Sequence, residues 1–266
     1  MRRFARWLDA IPHPILACEI APGYVAAARW TRSGLGLDGF AVETLPEGAI
    51  IPSAVEANLA DAAAVSSAME RAFARLHARG QALAILVPDP VIRVFVLHFD
   101  SFPRSAGEAI PMLRWKLKKS VPFEAEETLI SYMRQAPRDD GVDIVTGLAR
   151  LRIVREYEQL AENAGMTPGV VMSSGLAAVP LLDDHRPTMM ARVSGASLTT
   201  AIVREGILCG YRCTELPADA ARLSPQALLD EIYPVAAYYQ DSWREGVQGL
   251  RLAGLGTRTD QFRRPL

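Results

Sequence analysis

The chain carries almost no net charge. Its 29 Lys and Arg balance 30 Asp and Glu to −1 at pH 7, so no field of one sign draws it to nucleic acid, and no basic run is long enough to act as a tail. Cysteine is scarce: Cys18, Cys209 and Cys213 are all there is. An odd count without framework spacing argues against a disulfide-stapled secreted domain and for a reducing compartment. Cys209 and Cys213 lie four apart with no Cys or His pair beside them, which argues against zinc and leaves them as small side chains of a strand. His13, His77, His98 and His185 show no metal-ligand spacing, so no metal site is expected. Long apolar runs are missing too. Val91–Phe99, for example, is broken by Arg93 and His98 and is far too short to span a bilayer. The first residues lack the unbroken apolar stretch of a secretory signal, because Arg6, Asp9 and two prolines interrupt it. The expected location is the cytoplasm. Ser173-Ser174-Gly175 lacks the G-x-S-x-G context of a nucleophile turn. Asp139, Asp140 and Asp143 share a hairpin without the calcium-loop pattern and read as solvated turn residues. Glu124, Glu126 and Glu127 read as an exposed loop.

What is present is a chain of 266 residues, half of them hydrophobic, long enough for a large core. Residues 1–11 form an amphipathic segment with Phe4, Trp7, Leu8 and Ile11 on one face and Arg2, Arg3 and Arg6 away from it. Such a segment can lie on an anionic membrane or pack on the protein's own body. Ile15–Trp30 reads as two strands around a turn at Ala21-Pro22-Gly23, with a third strand at Phe40–Leu45. Residues 61–79 form a helix striped by Val65, Met69, Phe73 and Leu76, with Gly80 as its stop. Ala82–Pro88 is a buried strand, and Val91–Phe99 another. Ser105 to Glu108 has the spacing of a capping box that opens a helix, with Pro111 expected to bend it. Strands at Leu129–Gln135 and Val142–Ala149, a helix near 153–164 stopped by Gly165, a strand at Gly169–Ser173 and a short helix at Ser174–Leu182 follow. After the polar linker Asp183–Pro187 the strand pattern restarts: Thr188–Val193, Leu198–Arg204, Ile207–Arg212, a helix over Pro225–Trp243 kinked at Pro234, and Leu250–Ala253.

The order is thus βββ-α-β, an α/β insertion, a linker, and βββ-α-β again. Duplication of a lobe in this order is the pattern of the actin/Hsp70/sugar-kinase superfamily. Specific stretches carry a closer likeness. ILVPDPVIRVFVLHFDSFP (85–103), LRWKLKKSVPFEAEETLISY (113–132), AENAGMTPGVVMSSGLAAVPLL (161–182), LLDEIYPVAAYYQD (228–241) and LRLAGLG (250–256) resemble, in order and spacing, the PilM family of type IV pilus assembly, which is related to FtsA. The resemblance implies an actin-like (ribonuclease H-like) two-lobed α/β fold. Lobe one covers 12–185 with an inserted α/β subdomain near 91–165. Lobe two covers 186–266, with its outer subdomain missing or reduced because the stretch from Arg212 to Leu228 is too short to hold it.

The resemblance also locates a vestigial nucleotide site. In the first phosphate hairpin Glu19 stands where the family has Asp, Ala21 where it has Gly, and Ala26 where it has Lys, while Pro22 removes a backbone donor next to Gly23. In the second hairpin, Arg192 replaces an Asp and Ser194 a Gly, ahead of Gly195 and Ser197. The adenosine-side loop keeps Gly254 and Gly256 around Leu255. An arginine cannot hold a divalent cation. No cofactor is therefore expected. ATP is the one candidate ligand that the loops leave open, its hydrolysis is not expected, and no catalytic residue is assigned. The implied role is a cytoplasmic scaffold, peripheral at the inner membrane, that binds the N-terminal peptide of a bitopic PilN-like protein between lobe one and its insertion and links it to a pilus or secretion ATPase. Residues 2–11 are the candidate membrane contact, and the helix edge Arg114, Lys116, Lys118 and Lys119 reads as either a solvated face or a dock for an acidic partner. Two alternatives stay open: a nucleotide-binding switch or weak ATPase, and the cytoplasmic domain of a GspL-like type II secretion protein. The groove residues are not identified by sequence.

Overall fold

The computed structural model describes residues 14–31, 36–121, 127–138, 140–182, 185–217 and 222–263. The amphipathic segment 2–11 lies outside the described residues, as do Pro122–Glu126, Asp139, Asp183 and Asp184.

Lobe one is built on a five-stranded sheet. Strands β1 (Leu16–Ala21), β2 (Tyr24–Trp30) and β3 (Leu37–Thr44) form an antiparallel meander, and β4 (Ala82–Val87) runs parallel to β1. The order is β3-β2-β1-β4-β8, with β8 (Thr167–Ser173) arriving after the insertion. Alternation in β1 turns Leu16, Cys18 and Ile20 into the core, where they meet Val65, Met69 and Phe73 of helix α1 (Ala62–Arg75). Asp61 caps α1, its carboxylate accepting from the Ala64 amide at 2.9 Å. The stop differs from the expected one. The helix ends at Leu76, and His77 takes the left-handed position (φ 48°) that closes it. The Ala78 amide bonds the Phe73 carbonyl, and the His77 amide bonds that of Ala74. Histidine tolerates this conformation better than most side chains, so the helix stops before Gly80. Gly80 instead turns the chain into β4, its amide bonding the Gly165 carbonyl.

The insertion contributes a three-stranded sheet, β5 (Arg93–Phe99), β6 (Thr128–Arg138) and β7 (Gly141–Arg150), in the order β5-β7-β6. Helix α2 (Ala106–Leu117) packs Ala109 and Leu113 against Phe102 and Ile144. The expected capping box does not form. Ser105 begins α2 without a side-chain cap bond, and the helix continues through Pro111. Helix α3 (Leu151–Asn163) returns to lobe one with Ile153 and Tyr157 in its core. Gly165 ends this helix as expected, with φ 73° and the paired bonds of its own amide to Glu162 and of Met166 to Ala161. Strand β8 (Thr167–Ser173) pairs with β4, and helix α4 (Ser174–Ala178) follows.

Lobe two repeats the theme. Strands β9 (Thr188–Ser194), β10 (Ser197–Arg204) and β11 (Ile207–Glu215) form a meander, helix α5 (Pro225–Trp243) crosses over, and β12 (Gly249–Ala253) runs parallel to β9. Ser224 caps α5, and Pro225 starts it where no amide donor is needed. A short helix, α6 (Thr259–Arg263), follows. Among the described residues no helix is long and apolar enough to cross a membrane.

The insertion is seated on lobe two. Val94, Met133 and Val145 pack with Met190, Ala201, Val203 and Leu208. Gln135 reinforces this seam by donating to the Leu208 carbonyl and accepting from its amide, both at 2.8 Å. Asp143, read from sequence as solvated, is buried in the insertion and accepts from His98 Nδ1 at 2.8 Å and Arg138 Nη1 at 3.2 Å. The basic edge of α2 is partly engaged within the protein, with Lys116 Nζ 4.4 Å above the Phe99 ring.

Candidate functional site

The ends of β1, β4 and β9 converge where the lobes meet. Asp89 follows β4 between Pro88 and Pro90, whose rings restrict the turn that presents it. Its side chain is 1 % exposed. Oδ1 accepts from the Gly175 amide at 2.6 Å and from the Tyr211 hydroxyl at 3.3 Å. Oδ2 accepts from Thr199 Oγ1 at 2.6 Å and Arg192 Nη1 at 3.2 Å. The other arm of Arg192 pairs with Glu19 at the end of β1. Ser173 Oγ lies 2.9 Å from the Tyr211 hydroxyl and continues the network. Gly175 is required by close approach, since a Cβ there would sit 2.7 Å from Asp89 Oδ2 and 2.8 Å from both Thr199 and Tyr211.

The electrostatics follow from burial. Desolvation works to lower the Arg192 pKa, but the charges of Asp89 and Glu19 outweigh it and hold it above the ordinary value. Tyr24 is pushed up to about 12, first by burial and then by the charge of Glu19. Burial, then Asp89, raises Tyr211 well above its ordinary value.

The sequence-derived loop residues lie around this centre. Glu19 and Ala21 end β1, and Gly23 forms the turn after Pro22. Ser194 ends β9, Gly195 turns with φ 58°, and Ser197 opens β10, its hydroxyl donating to the Ser194 carbonyl at 2.8 Å. The two hairpin tips touch: a Cβ on Gly195 would be 3.1 Å from the Pro22 ring. Gly254 (φ 82°) is pressed so closely on Val193 that a Cβ there would overlap its carbonyl, whereas a Cβ on Gly256 would meet nothing within 4 Å. The guanidinium of Arg192 lies between the two carboxylates of Glu19 and Asp89, a position where a cation would otherwise be needed, and Pro22 packs on Gly195 at the tips of the two hairpins. Among the described residues no group of three His, Cys, Asp or Glu could hold a metal ion. Asp89, Thr199 and Tyr211 escaped the sequence reading, although a carboxylate flanked by prolines at the end of a buried strand was a usable signal for the first.

A second feature lies between lobe one and the insertion. A cleft of about 420 Å³ opens there, walled by consecutive residues of β6, Leu129–Met133, and of β8, Val170–Ser173. β6 pairs with β7 on one side and β8 with β4 on one side, so among the described residues each leaves an edge unpaired. The floor is β7, whose Val145, Gly147 and Ala149 share one face, and the small side chains at its outer end leave the hollow. Val154 and Glu158 of α3 complete the wall one helical turn apart. Among the described residues of the lining, Glu158 alone is charged.

No protein-family profile matches the chain, and no curated protein matches it in sequence. Solved structures do match in fold. A PilM–PilN type IV pilus biogenesis complex superposes with a TM-score of 0.70 at 16 % identity, over 94 % of this chain and 86 % of that one. The cytoplasmic domain of EpsL, an inner-membrane component of the type II secretion system of Vibrio cholerae, gives 0.53 at 10 % identity, over 91 % and 85 %. A protein of unknown function with an actin-like ATPase fold from Bacteroides thetaiotaomicron gives 0.51 at 11 % identity, over 94 % and 85 %. The fold is therefore actin-like and two-lobed, with an inserted subdomain in lobe one and a reduced lobe two.

Proposed function

We propose that this protein is a cytoplasmic adaptor of a type IV pilus machine, and that it captures the N-terminal cytoplasmic peptide of a bitopic PilN-like membrane protein in the cleft between β6 and β8. One observation carries the reading: two unpaired strand edges face an apolar hollow. Such edges accept an extended chain through its backbone, while the hollow selects its apolar side chains. The fold shared with a protein solved as a PilM–PilN complex supports the same reading. A peptide held this way would tie the membrane partner to the assembly ATPase without any chemistry in the adaptor, which is read as a non-enzyme. The clasp of Glu19, Arg192 and Asp89 supports nucleotide independence, because it fills the position that a bound cation would take.

The secretion reading is kept as a second one, favoured by the fold shared with the EpsL cytoplasmic domain. Calorimetry tests the adaptor reading. The full chain is titrated with synthetic peptides of the cytoplasmic N-terminus of the bitopic protein encoded beside it, at low and high salt. Binding that changes little with salt supports the adaptor, since apolar burial and backbone bonds would dominate. Absence of heat at either salt with folded protein removes it.

A further inference from the structure

We propose that copies of this chain associate head to tail, the basic Trp115 face of α2 in one copy docking on the acidic, tyrosine-lined face of α5 in the next. The proposal is independent of the adaptor reading. Helix α2 buries Leu113 and Leu117. Trp115 is two residues from each, which at about 100° per residue puts it on the opposite side of the helix. It is 80 % exposed. Arg114, Lys116, Lys118 and Lys119 crowd the last turn of α2 and the residues just after it, whereas Glu108, its one acid, lies in the first turn. Lys116 folds over the Phe99 ring at 4.4 Å. Lys118 and Lys119 are exposed and lie one turn beyond Trp115.

Helix α5 carries the reverse pattern. It buries Leu228, Ile232 and Tyr239, and turns Tyr233 (69 % exposed) and Tyr238 (75 %) to solvent. Asp230, Tyr233, Pro234, Ala237, Tyr238 and Asp241 have the i, i+3, i+4, i+7, i+8, i+11 spacing of one helix face. Pro234 and Ala237 are the small members of that face and sit between the two tyrosines, a notch suited to an indole ring. From Pro225 to Trp243 the charged residues are Asp230, Glu231 and Asp241, with no Lys or Arg before the cap, Arg244. Asp230 accepts from the neutral Gln226 at 2.7 Å, a bond that leaves its charge in place. Exposed aromatic patches of this kind mark contact sites, and Trp and Tyr are the side chains that anchor them. Neither face suits itself, because α2 on α2 sets base against base and α5 on α5 sets acid against acid. The two faces suit each other in charge and in shape. Helix α2 packs on the insertion and α5 on lobe two, each with its face open to solvent, so the match is made between copies. Two different faces make a heterologous contact, which repeats from copy to copy into a ring or a filament.

Sedimentation velocity of the full chain over a range of concentrations tests this. Wild type should pass from monomer to species larger than a dimer as concentration rises. Trp115→Ala and Tyr238→Ala should each weaken association at least tenfold. Mixed together, these two variants should give a dimer and nothing larger, because one retains an intact α5 face and the other an intact α2 face. Lys118→Glu with Lys119→Glu in one chain, and Asp230→Lys with Asp241→Lys in another, should each stay monomeric alone and associate when mixed. A wild-type chain that is monomeric at every concentration overturns the proposal. So does association that survives Trp115→Ala, or a mixture of the two aromatic variants that forms no dimer. Flotation with vesicles of anionic phospholipid that is lost in Trp115→Ala, for a chain monomeric in solution, would give the α2 face to a membrane and overturn it as well.

Discussion

Arg192 holds Asp89 across the junction of the two lobes, with 3.2 Å between Nη1 and Oδ2 and 103 residues between them in the chain. Both side chains are almost fully buried. Arg192→Ala strands a buried carboxylate and should lower unfolding free energy by about 3–5 kcal/mol. Arg192→Met combined with Asp89→Asn removes both charges and should recover much of that loss. Urea denaturation of the three proteins checks the order, and a single variant as stable as wild type would show that the pair contributes nothing.

The same clasp bears on nucleotide. Phosphoryl transfer relies on a positioned metal and charge network, and Arg192 stands where a member of it would be. The expected outcome is phosphate release from ATP no faster than in buffer. Turnover above that control, abolished by Glu19→Gln, would contradict this.

The cleft can be filled from its floor. A Cβ on Gly147 would meet only the Ile92 side chain, at 3.5 Å, so Gly147→Leu should project into the hollow. Peptide affinity should fall at least tenfold while stability changes by about 1 kcal/mol or less. Calorimetry and thermal unfolding of the same preparation separate the two effects.

Much of this fold was legible in the sequence, because buried strands and amphipathic helices impose their periods on it and Gly165 marks a helix end by local chemistry. Other features depend on partners far along the chain. Asp143 looks like a turn residue until His98 is placed beside it. Thr199 and Tyr211 are ordinary strand residues until Asp89 arrives between them. Gly147 and Ala149 leave the cleft open only because the edges of β6 and β8 face each other across them. His77 replaced the expected glycine stop because a less favoured residue can still adopt the left-handed turn.

His98 gives a pH signature. Its hydrogen bond to Asp143 raises its pKa above 6.5, against a smaller opposing effect of desolvation. The stabilisation it contributes is complete below the unfolded value near 6.5 and is lost as pH rises through the folded value. Wild type should therefore exceed His98→Gln in stability at pH 5.5 by a margin that shrinks toward pH 9. Chemical denaturation across that range measures it, and a constant margin would refute the ion pair.

Burial pushes the Cys209 thiol up to about 12 and Cys213 to about 11. Both should therefore react with iodoacetamide at pH 8 far more slowly than a free thiol, and promptly once urea unfolds the chain. Mass spectrometry after timed labelling reads this directly, and rapid labelling of the folded protein would contradict the raised thiol pKa values.

Asp89 depends on Arg192, Thr199 and Tyr211, all of which leave the ribosome long after it. During synthesis the first lobe emerges with this carboxylate matched by the Gly175 amide alone among its final partners on that side of the linker. A nascent chain that closed early would enclose an unneutralised charge. Burial of Asp89 therefore has to wait until the second lobe supplies Arg192 and Thr199, so the junction is the last part of this network to close.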